Sequence, residues 1–213
     1  MRSDIGGERR GGYRSPLRKE RAADTRRRIG TAALGLFTEH GFGGTTVAAI
    51  AERAGVSAQT VYATFGSKAA ILRAMLAQME ENADAAGWRE RIAAEPGPRG
   101  KLTAFAQWSA GLFASSKAVI AAAQGAASDP ALLELRAEAD GHRRAALDAL
   151  VGTLEVSSAL RAGLSRSQAV DRAWILTGVE LYLGATDGCG WSDTAYAEWL
   201  AELLISQLLA PGR

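Results

Sequence analysis

TVAAIAERAGVSAQTVYATFGSK, residues 46–68, has the pattern of two short helices joined by a tight turn and followed by the start of a third helix. Gly55 supplies the positive φ that a three-residue turn requires. Ser57 follows the turn and is a good N-cap for the second helix. Val61 is apolar on the inner face of that helix, and Ala51 is small enough to let the two helices cross closely. A helix-turn-helix of this kind places its second helix in the DNA major groove.

The alternative for this stretch is an ordinary helical hairpin with a glycine in its turn. The outward face of the second helix favours DNA, since it is small, polar and aromatic with no acidic residue: Ala58, Gln59, Thr60, Tyr62 and Ala63. A face that meets only water more often carries Glu and Lys.

The composition is that of a globular protein. The 213 residues are 47% apolar and 23% charged, enough for one well-buried domain or two small ones. No apolar run is long enough to span a membrane, and the N-terminus MRSDIGGERR lacks the apolar core of a secretory signal. With one cysteine and two histidines, we expect no disulfide, no metal site and no cofactor. The expected location is the bacterial cytoplasm, on the nucleoid.

Charge is distributed unevenly. Residues 1–28 carry ten Lys or Arg and four Asp or Glu, which leaves the rest of the chain slightly acidic. Residues 1–22 are also rich in Gly, Arg and Ser with little periodicity, so they are expected to form a flexible basic arm that touches DNA. A G- and C-rich genome would explain why the cations are Arg, but it would not explain why they cluster.

Helical periodicity continues along the whole chain and no alternating strand pattern competes with it. The first helix is expected from Asp24 or Thr25 to Gly41, and a long helix from Lys68 to about Ala86. Later helices are expected at roughly 100–115, 117–127, 130–156, 163–185 and 193–209. The predicted fold is all-α with about nine helices. Residues 23–67 would form the DNA-binding domain, and residues 68–213 a domain for effector binding and dimerisation.

The stretch EHGFGGTTVAAIAERAGVSAQTVYATFGSKAAIL, residues 39–72, together with the basic helix before it, resembles the tetracycline-repressor (TetR) family of bacterial transcription regulators. Gly-aromatic, Thr-Thr, Ile-Ala, Ala-Gly-Val-Ser, Thr-x-Tyr, Phe and Lys occur in the order and spacing of that family. The resemblance implies a homodimeric regulator, more often a repressor than an activator, that binds DNA and a small ligand. The C-terminal part resembles the family less closely, in its helix count and its final helix.

The resemblance implies phosphate contacts from Tyr62 and Lys68, and the position of Lys68 at a helix N-terminus favours the same anion. Tyr62 could instead pack on Phe65, and Thr46 could act only as a cap. The full set of residues expected to touch DNA is Arg26, Arg27, Thr45, Thr46, Ser57, Ala58, Gln59, Thr60, Tyr62 and Lys68.

Two positions depart from the family pattern. Residue 59 is often glycine in the family and is Gln here, and residue 64 is often His and is Thr here. Gln can pair with adenine N6 and N7. Gln59 is therefore expected to read a base, and the operator sequence cannot be transferred from a relative.

The C-terminal half carries more apolar residues on its last two helices than one core needs, which predicts a homodimer through a four-helix bundle. These residues are Trp174, Val179, Leu181, Tyr182, Leu183, Trp199, Leu200, Leu203, Leu204, Leu208 and Leu209. A cavity for a small effector, apolar or aromatic, is expected among the larger rings. The candidate ligand residues are Phe105, Trp108, Phe113, Gln124 and Trp174, with Trp88, Tyr182, His142 and Arg143 as further possibilities.

Two other classes compete with a regulator. An enzyme is not expected, because no nucleophile elbow, Walker or dinucleotide motif occurs. A helical scaffold or small-molecule-binding protein without DNA binding is the stronger alternative. The expected function is a ligand-responsive repressor that binds a palindromic operator as a dimer and is released by an apolar effector.

Overall fold

The computed structural model describes residues 14–124 and 130–211 of the chain. These ranges hold ten α-helices and one π-helical turn, and their only β-type pairing is an isolated bridge between Leu160 and Leu209. The predicted all-α fold is confirmed. The helices are α1 (Arg14–Gly44), α2 (Val47–Ala54), α3 (Ala58–Phe65), α4 (Lys68–Asn82), α5 (Ala85–Ala94), α6 (Pro98–Gln124), α7 (Pro130–Val156), α8 (Arg166–Leu176), α9 (Val179–Leu183) and α10 (Asp193–Leu208), with the π-helical turn at Gly184–Gly188.

None of the helices in these two ranges is both long enough and apolar enough to cross a membrane.

The chain divides into two compact units, Met1–Ile71 and Leu72–Arg213. The boundary falls within α4, four residues beyond the predicted boundary at 67/68. The difference arises because the first turn of α4 packs with the N-terminal helices, where Ile71 is fully buried.

In the first unit, α1 begins at Arg14, about ten residues before the predicted start. The expectation of a flexible arm is therefore wrong for residues 14–22, whose basic residues continue a helix; residues 1–13 lie outside the described part of the chain. The helix kinks at Gly41, where φ is +69°, and the chain folds back so that the Phe37 and Phe42 rings lie 5.2 Å apart.

The turn between α2 and α3 has the local geometry expected from its sequence. Gly55 has φ +64° and ψ +39°, the left-handed conformation that glycine adopts without steric cost. Val61 on α3 and Ile50 on α2 are fully buried, so the inner faces of the two helices form one small core with α1.

In the second unit, α6 and α10 pack along each other and contribute most of a core completed by α7 and α8. Pro98 and Pro130 occupy the first turns of α6 and α7, where a missing N–H costs nothing. The two helices expected at 100–115 and 117–127 are one helix, α6, up to Gln124, because no glycine or proline interrupts residues 112–124. The helix expected over 163–185 is instead broken at Thr177 and Gly178.

Candidate DNA-binding surface and ligand cavity

The outward face of α3 is open to solvent in the first unit. Ala58, Gln59 and Ala63 are exposed, and Tyr62 keeps 55% of its surface accessible. Val61, on the opposite side of the same helix, keeps only 1%. The core therefore uses one side of α3 and leaves the other side free for a partner.

Two predicted DNA-contacting hydroxyls cap helix N-termini. Thr46 Oγ1 accepts the Ala49 N–H at 3.1 Å at the start of α2. Ser57 Oγ accepts the Thr60 N–H at 3.1 Å at the start of α3 and lies 2.8 Å from Thr60 Oγ1. Both side chains are exposed, so each helix presents a capped, partly positive end at the surface of the unit.

Thr45 does not fit the predicted role. Its side chain is 3% exposed, and its hydroxyl donates to the carbonyl oxygens of Leu36 at 3.1 Å and Gly41 at 2.8 Å. Exposing this hydroxyl to a phosphate would break both bonds inside the core. The expectation that Thr45 touches DNA is wrong for this conformation; its side chain instead fixes the chain after the kink in α1.

Lys68 has an internal role that its sequence position did not reveal. Its half-buried ammonium group donates to the carbonyl oxygens of Phe42 at 2.5 Å and Thr45 at 2.8 Å. It also lies 4.2 Å from the centre of the Phe42 ring, within cation–π range. One of its three N–H groups is left for a phosphate, so the predicted DNA contact would be secondary to this structural one.

Three consecutive arginines of α1, at positions 26–28, have distinct roles. Arg26 lies over the Phe65 ring, 4.4 Å from its centre, and reaches the end of α3. Arg27 is exposed and paired with Asp24. Arg28 donates to the carbonyl oxygens of Ala54 at 2.5 Å and Gly55 at 3.2 Å, holding the turn of the helix-turn-helix.

Arg53 and Glu39 neutralise each other at the surface of the first unit. Arg53 binds Glu39 through two bonds of 2.7 Å. The hydrogen bond from Arg53 lowers the pKa of the Glu39 carboxyl below its usual value. Arg27 is balanced by Asp24 in the same way, whereas Arg26 lies over the Phe65 ring and brings its positive charge to the end of α3.

The second unit contains a cavity of about 830 Å³. All five predicted ligand residues line it, and so do His142 and Arg143, whereas Trp88 and Tyr182 do not. The lining is mainly apolar: Leu72, Leu76, Met79, Ala85, Arg89, Phe105, Trp108, Ser109, Leu112, Phe113, Ile120, Ala123, Gln124, Leu133, Leu135, Arg136, Ala139, Asp140, His142, Arg143, Ala146, Leu147, Trp174, Thr177, Val179 and Glu180. This volume and this character are typical of sites for organic ligands.

The charged part of the lining lies mainly on α7 and is largely paired within the protein. The Arg143 guanidinium stacks 3.5 Å from the centre of the Trp174 ring and donates to the Thr177 carbonyl oxygen at 2.9 Å. Burial lowers the pKa of Arg143, and nearby Asp140 and Glu180 partly oppose that shift. Periodicity along α7 could have shown that residues 136, 140 and 143 share one helix face, but not that this face meets a cavity.

One donor in the lining lacks a partner. Trp108 Nε1 is buried and has no hydrogen-bond acceptor among the described residues. Leaving a buried donor unsatisfied costs roughly 1–3 kcal/mol.

Many of the apolar side chains that were predicted to be surplus on the last helices are buried in the core of the second unit. Tyr182, Leu200, Leu204, Leu208 and Leu209 are buried there, so the argument that they are surplus is wrong.

Other apolar side chains on these helices, and Trp191 just before α10, are accessible. Ile175 keeps 68% of its surface and Trp191 39%, Leu181 is exposed, and Trp199 and Leu203 are half-buried. Trp191 packs edge-on against Trp199, with ring centres 5.6 Å apart. A dimer surface formed by the last helices would use such residues.

Comparisons with known proteins agree with this arrangement. A sequence model of the family described as "Bacterial regulatory proteins, tetR family" matches residues 29–75. No curated protein sequence matches the chain.

Solved structures share the fold. NalD, the secondary repressor of the MexAB-OprM multidrug efflux pump in Pseudomonas aeruginosa, is 21% identical with a TM-score of 0.72, and the match covers 89% of this chain and 98% of NalD. FadR from Bacillus subtilis, solved in complex with stearoyl-CoA, is 21% identical with a TM-score of 0.70, covering 84% of this chain and 97% of FadR. Residues 29–75 therefore match the tetR family of bacterial regulatory proteins in sequence, and the chain shares its helical fold with solved regulators.

Proposed function

We propose that this protein is a ligand-responsive transcriptional repressor that binds a palindromic operator as a homodimer and releases it when a small organic effector occupies the second unit. The observation that carries the proposal is the exposed outer face of α3, which has no acidic side chain and has Val61 buried behind it. A helix with this division of faces fits the major groove.

Contacts to bases are assigned to the exposed residues near the start of α3. Gln59 can donate to and accept from an adenine edge, and the Ala58 methyl group can meet a thymine methyl. Thr60 is half-buried, and its hydroxyl is shared with Ser57, so its role is secondary.

Contacts to phosphates are assigned to Tyr62 and Arg27, to Arg26 beside them, and to the capped helix ends at Thr46 and Ser57. They position the protein without reading sequence. The location that follows from a chromosomal DNA target is the bacterial cytoplasm.

Homodimerisation supplies the specificity that one short helix lacks. Two recognition helices would have to lie about 34–36 Å apart, or a multiple of that spacing, to enter successive major grooves on one side of the duplex. The accessible apolar residues Ile175, Leu181, Trp199 and Leu203 are the proposed contact surface. Sedimentation of the Leu203→Lys variant tests this, with the exposed Val156→Lys, outside the cavity, as the control. A Leu203→Lys variant that sediments like the unchanged protein would contradict the proposed surface.

Helix α4 is the proposed link between effector and DNA. Its first residue, Lys68, is bound to carbonyl groups of the first unit, while Leu76 and Met79 line the cavity in the second. A ligand can shift the protein between two states only if it binds them with different affinity. A ligand in contact with Leu76 and Met79 would bind the two states with different affinity because these contacts depend on the direction of α4. The fold shared with a regulator solved with stearoyl-CoA supports a ligand site of this kind.

The alternative is a helical small-molecule-binding or scaffold protein that does not bind DNA. An enzymatic role is not proposed, because the similar proteins named above are regulators.

Enrichment of genomic fragments from the source organism by the purified protein, followed by footprinting of the enriched DNA, tests the proposal. The expected result is a protected site with twofold symmetry. The double variant Gln59→Ala, Tyr62→Ala is the matched control, because both side chains are exposed and their loss should leave the fold intact. Equal enrichment by the protein and this variant would favour the scaffold alternative.

A further inference from the structure

We propose that the effector is an uncharged lipophilic molecule with a carbonyl-type oxygen that accepts a hydrogen bond from the indole N–H of Trp108. This inference rests on the proposed function, since it names the chemical class that the cavity of the second unit would take.

The indole of Trp108 is built into the wall of the cavity and its donor is unused. Trp108 lies on α6 with its ring centre 5.8 Å from that of Phe105, one turn earlier, and both rings line the cavity. Nε1 is buried and meets no acceptor among the described residues. Buried donors in folded proteins nearly always have an acceptor. An oxygen atom of a ligand in the cavity would supply it.

The surroundings of this donor disfavour a charged ligand group. Leu112, four residues after Trp108, shares its helix face with Phe105 and also lines the cavity, so the donor lies on an apolar stripe. A carboxylate or ammonium placed beside such a stripe would lose its hydration without a counter-charge from α6. A neutral carbonyl oxygen loses far less and gains the hydrogen bond.

The charged lining residues of α7 point to the same class. Arg143 is occupied by the Trp174 ring and the Thr177 carbonyl oxygen, and Arg136 lies 3.9 Å from Glu180. With Asp140 and Glu180 near Arg143, these groups offer both signs of charge and select neither an anion nor a cation. Arg89 also lines the cavity and is exposed, so an anionic ligand would depend on it.

Matched pairs of small molecules test the proposal by equilibrium dialysis. The pairs are fluorenone with fluorene and benzophenone with diphenylmethane, and fluorene-9-carboxylate and diphenylacetate are the anionic members. Trp108→Phe keeps an aromatic ring and removes the donor. This variant should bind the two ketones about tenfold more weakly, as expected for one lost hydrogen bond, and should bind the hydrocarbons with unchanged affinity. Trp174→Phe, the control indole in the same cavity, should leave the ratio between ketone and hydrocarbon unchanged.

Several results would overturn the proposal. These are an equal effect of Trp108→Phe on ketones and hydrocarbons, no binding of either, or tighter binding of the carboxylates than of the ketones. If Trp108→Phe does not fold, the ¹⁵N-labelled indole resonance of Trp108 in the unchanged protein gives the answer. Ketones should change the chemical shift of this resonance as a stronger hydrogen bond does, and hydrocarbons should not. Equal changes with ketones and hydrocarbons would overturn the proposal.

Footprinting separates this inference from the proposed function. A protein that protects its operator and binds ketones independently of Trp108 keeps the function and loses this inference. A protein without an operator loses the proposed function, while the dependence of ketone binding on Trp108 still decides the ligand class.

Discussion

Lys68 Nζ lies 2.5 Å from the carbonyl oxygen of Phe42 and 4.2 Å from the centre of the Phe42 ring. The same group donates to the Thr45 carbonyl oxygen at 2.8 Å. Carbonyl groups at the end of a helix lack partners within it. Phe42 belongs to the last turn of α1 and Thr45 follows the helix directly, so Lys68 connects the first residue of α4 to the end of α1.

Replacing Lys68 by Met should therefore act first on stability. Hydrogen bonds from a charged donor contribute about 1.5–3 kcal/mol each, and partial exposure of the Lys68 ammonium to solvent reduces this contribution. The free energy of unfolding of the first unit should therefore fall by about 2–4 kcal/mol. Urea denaturation monitored by circular dichroism measures this. Lys19→Met, at an exposed position of α1, is the control and should change little. If the two variants were equally stable, the internal hydrogen bonds of Lys68 would not contribute to stability, and its charge would be available to DNA.

Replacing Gln59 by Ala should change DNA specificity without changing stability. The side chain is exposed, so the free energy of unfolding should stay within about 0.5 kcal/mol of its original value. Binding should lose about 1–3 kcal/mol at one base pair of the operator, as for a bidentate contact. Affinities for a set of single-base operator variants measure this, with Gln78→Ala on α4 as the control. A uniform loss over all variants would assign Gln59 to the DNA backbone.

Two truncations test the basic N-terminal region. Deleting residues 2–22 should weaken binding to all DNA sequences and flatten the dependence of log affinity on log salt, because fewer counterions are released. Deleting residues 2–13 should have a smaller effect, since the basic residues of α1 at 18, 19 and 21 are retained. Fluorescence anisotropy at several salt concentrations gives the slopes. An unchanged slope in the longer truncation would exclude a phosphate contact from this region.

Two buried tyrosines in the core of the second unit should respond oppositely to loss of their hydroxyl groups. Tyr182 donates to Asp193 Oδ1 at 2.6 Å, whereas the Tyr196 hydroxyl is buried without a partner among the described residues. Tyr182→Phe should lower the free energy of unfolding by about 1–2 kcal/mol, and Tyr196→Phe should raise it by about 1 kcal/mol. Thermal unfolding of the two variants measures the difference, and destabilisation by Tyr196→Phe would show that its hydroxyl is satisfied.

The buried hydroxyl of Tyr196 also predicts how the free energy of unfolding depends on pH in the alkaline range. Burial raises the pKa of Tyr196 to about 12, above the unfolded value of about 10. The stabilisation from the neutral phenol is fully present below pH 10 and is lost as pH rises towards 12. The free energy of unfolding should therefore fall by about 1 kcal/mol from this group between pH 9 and pH 11. Urea titrations of the unchanged protein and of Tyr196→Phe should differ in this slope; parallel slopes would contradict the prediction.

The helix-turn-helix was predictable because short-range chemistry defines it. The side chains of Ser57 and Thr46 each accept a hydrogen bond from the backbone N–H three residues later, and the left-handed conformation of Gly55 is a property of the turn itself. Each feature can therefore be recognised without knowing the rest of the fold. The aromatic character of the ligand cavity was also evident in the chain, since Phe105, Trp108, Phe113 and Trp174 are rare large rings among helices of small residues. The family pattern across residues 39–72 identified the DNA-binding domain.

The tertiary structure alone decided which polar groups face inward. Thr45 and Thr46 are adjacent and chemically identical, yet the kink at Gly41 turns one into the core and leaves the other at the surface. Lys68 meets Phe42 across 26 residues, and Arg143 meets Thr177 across 34. Such contacts depend on how helices distant in sequence cross, and the periodicity of a single helix shows which face is apolar but not which partner it meets.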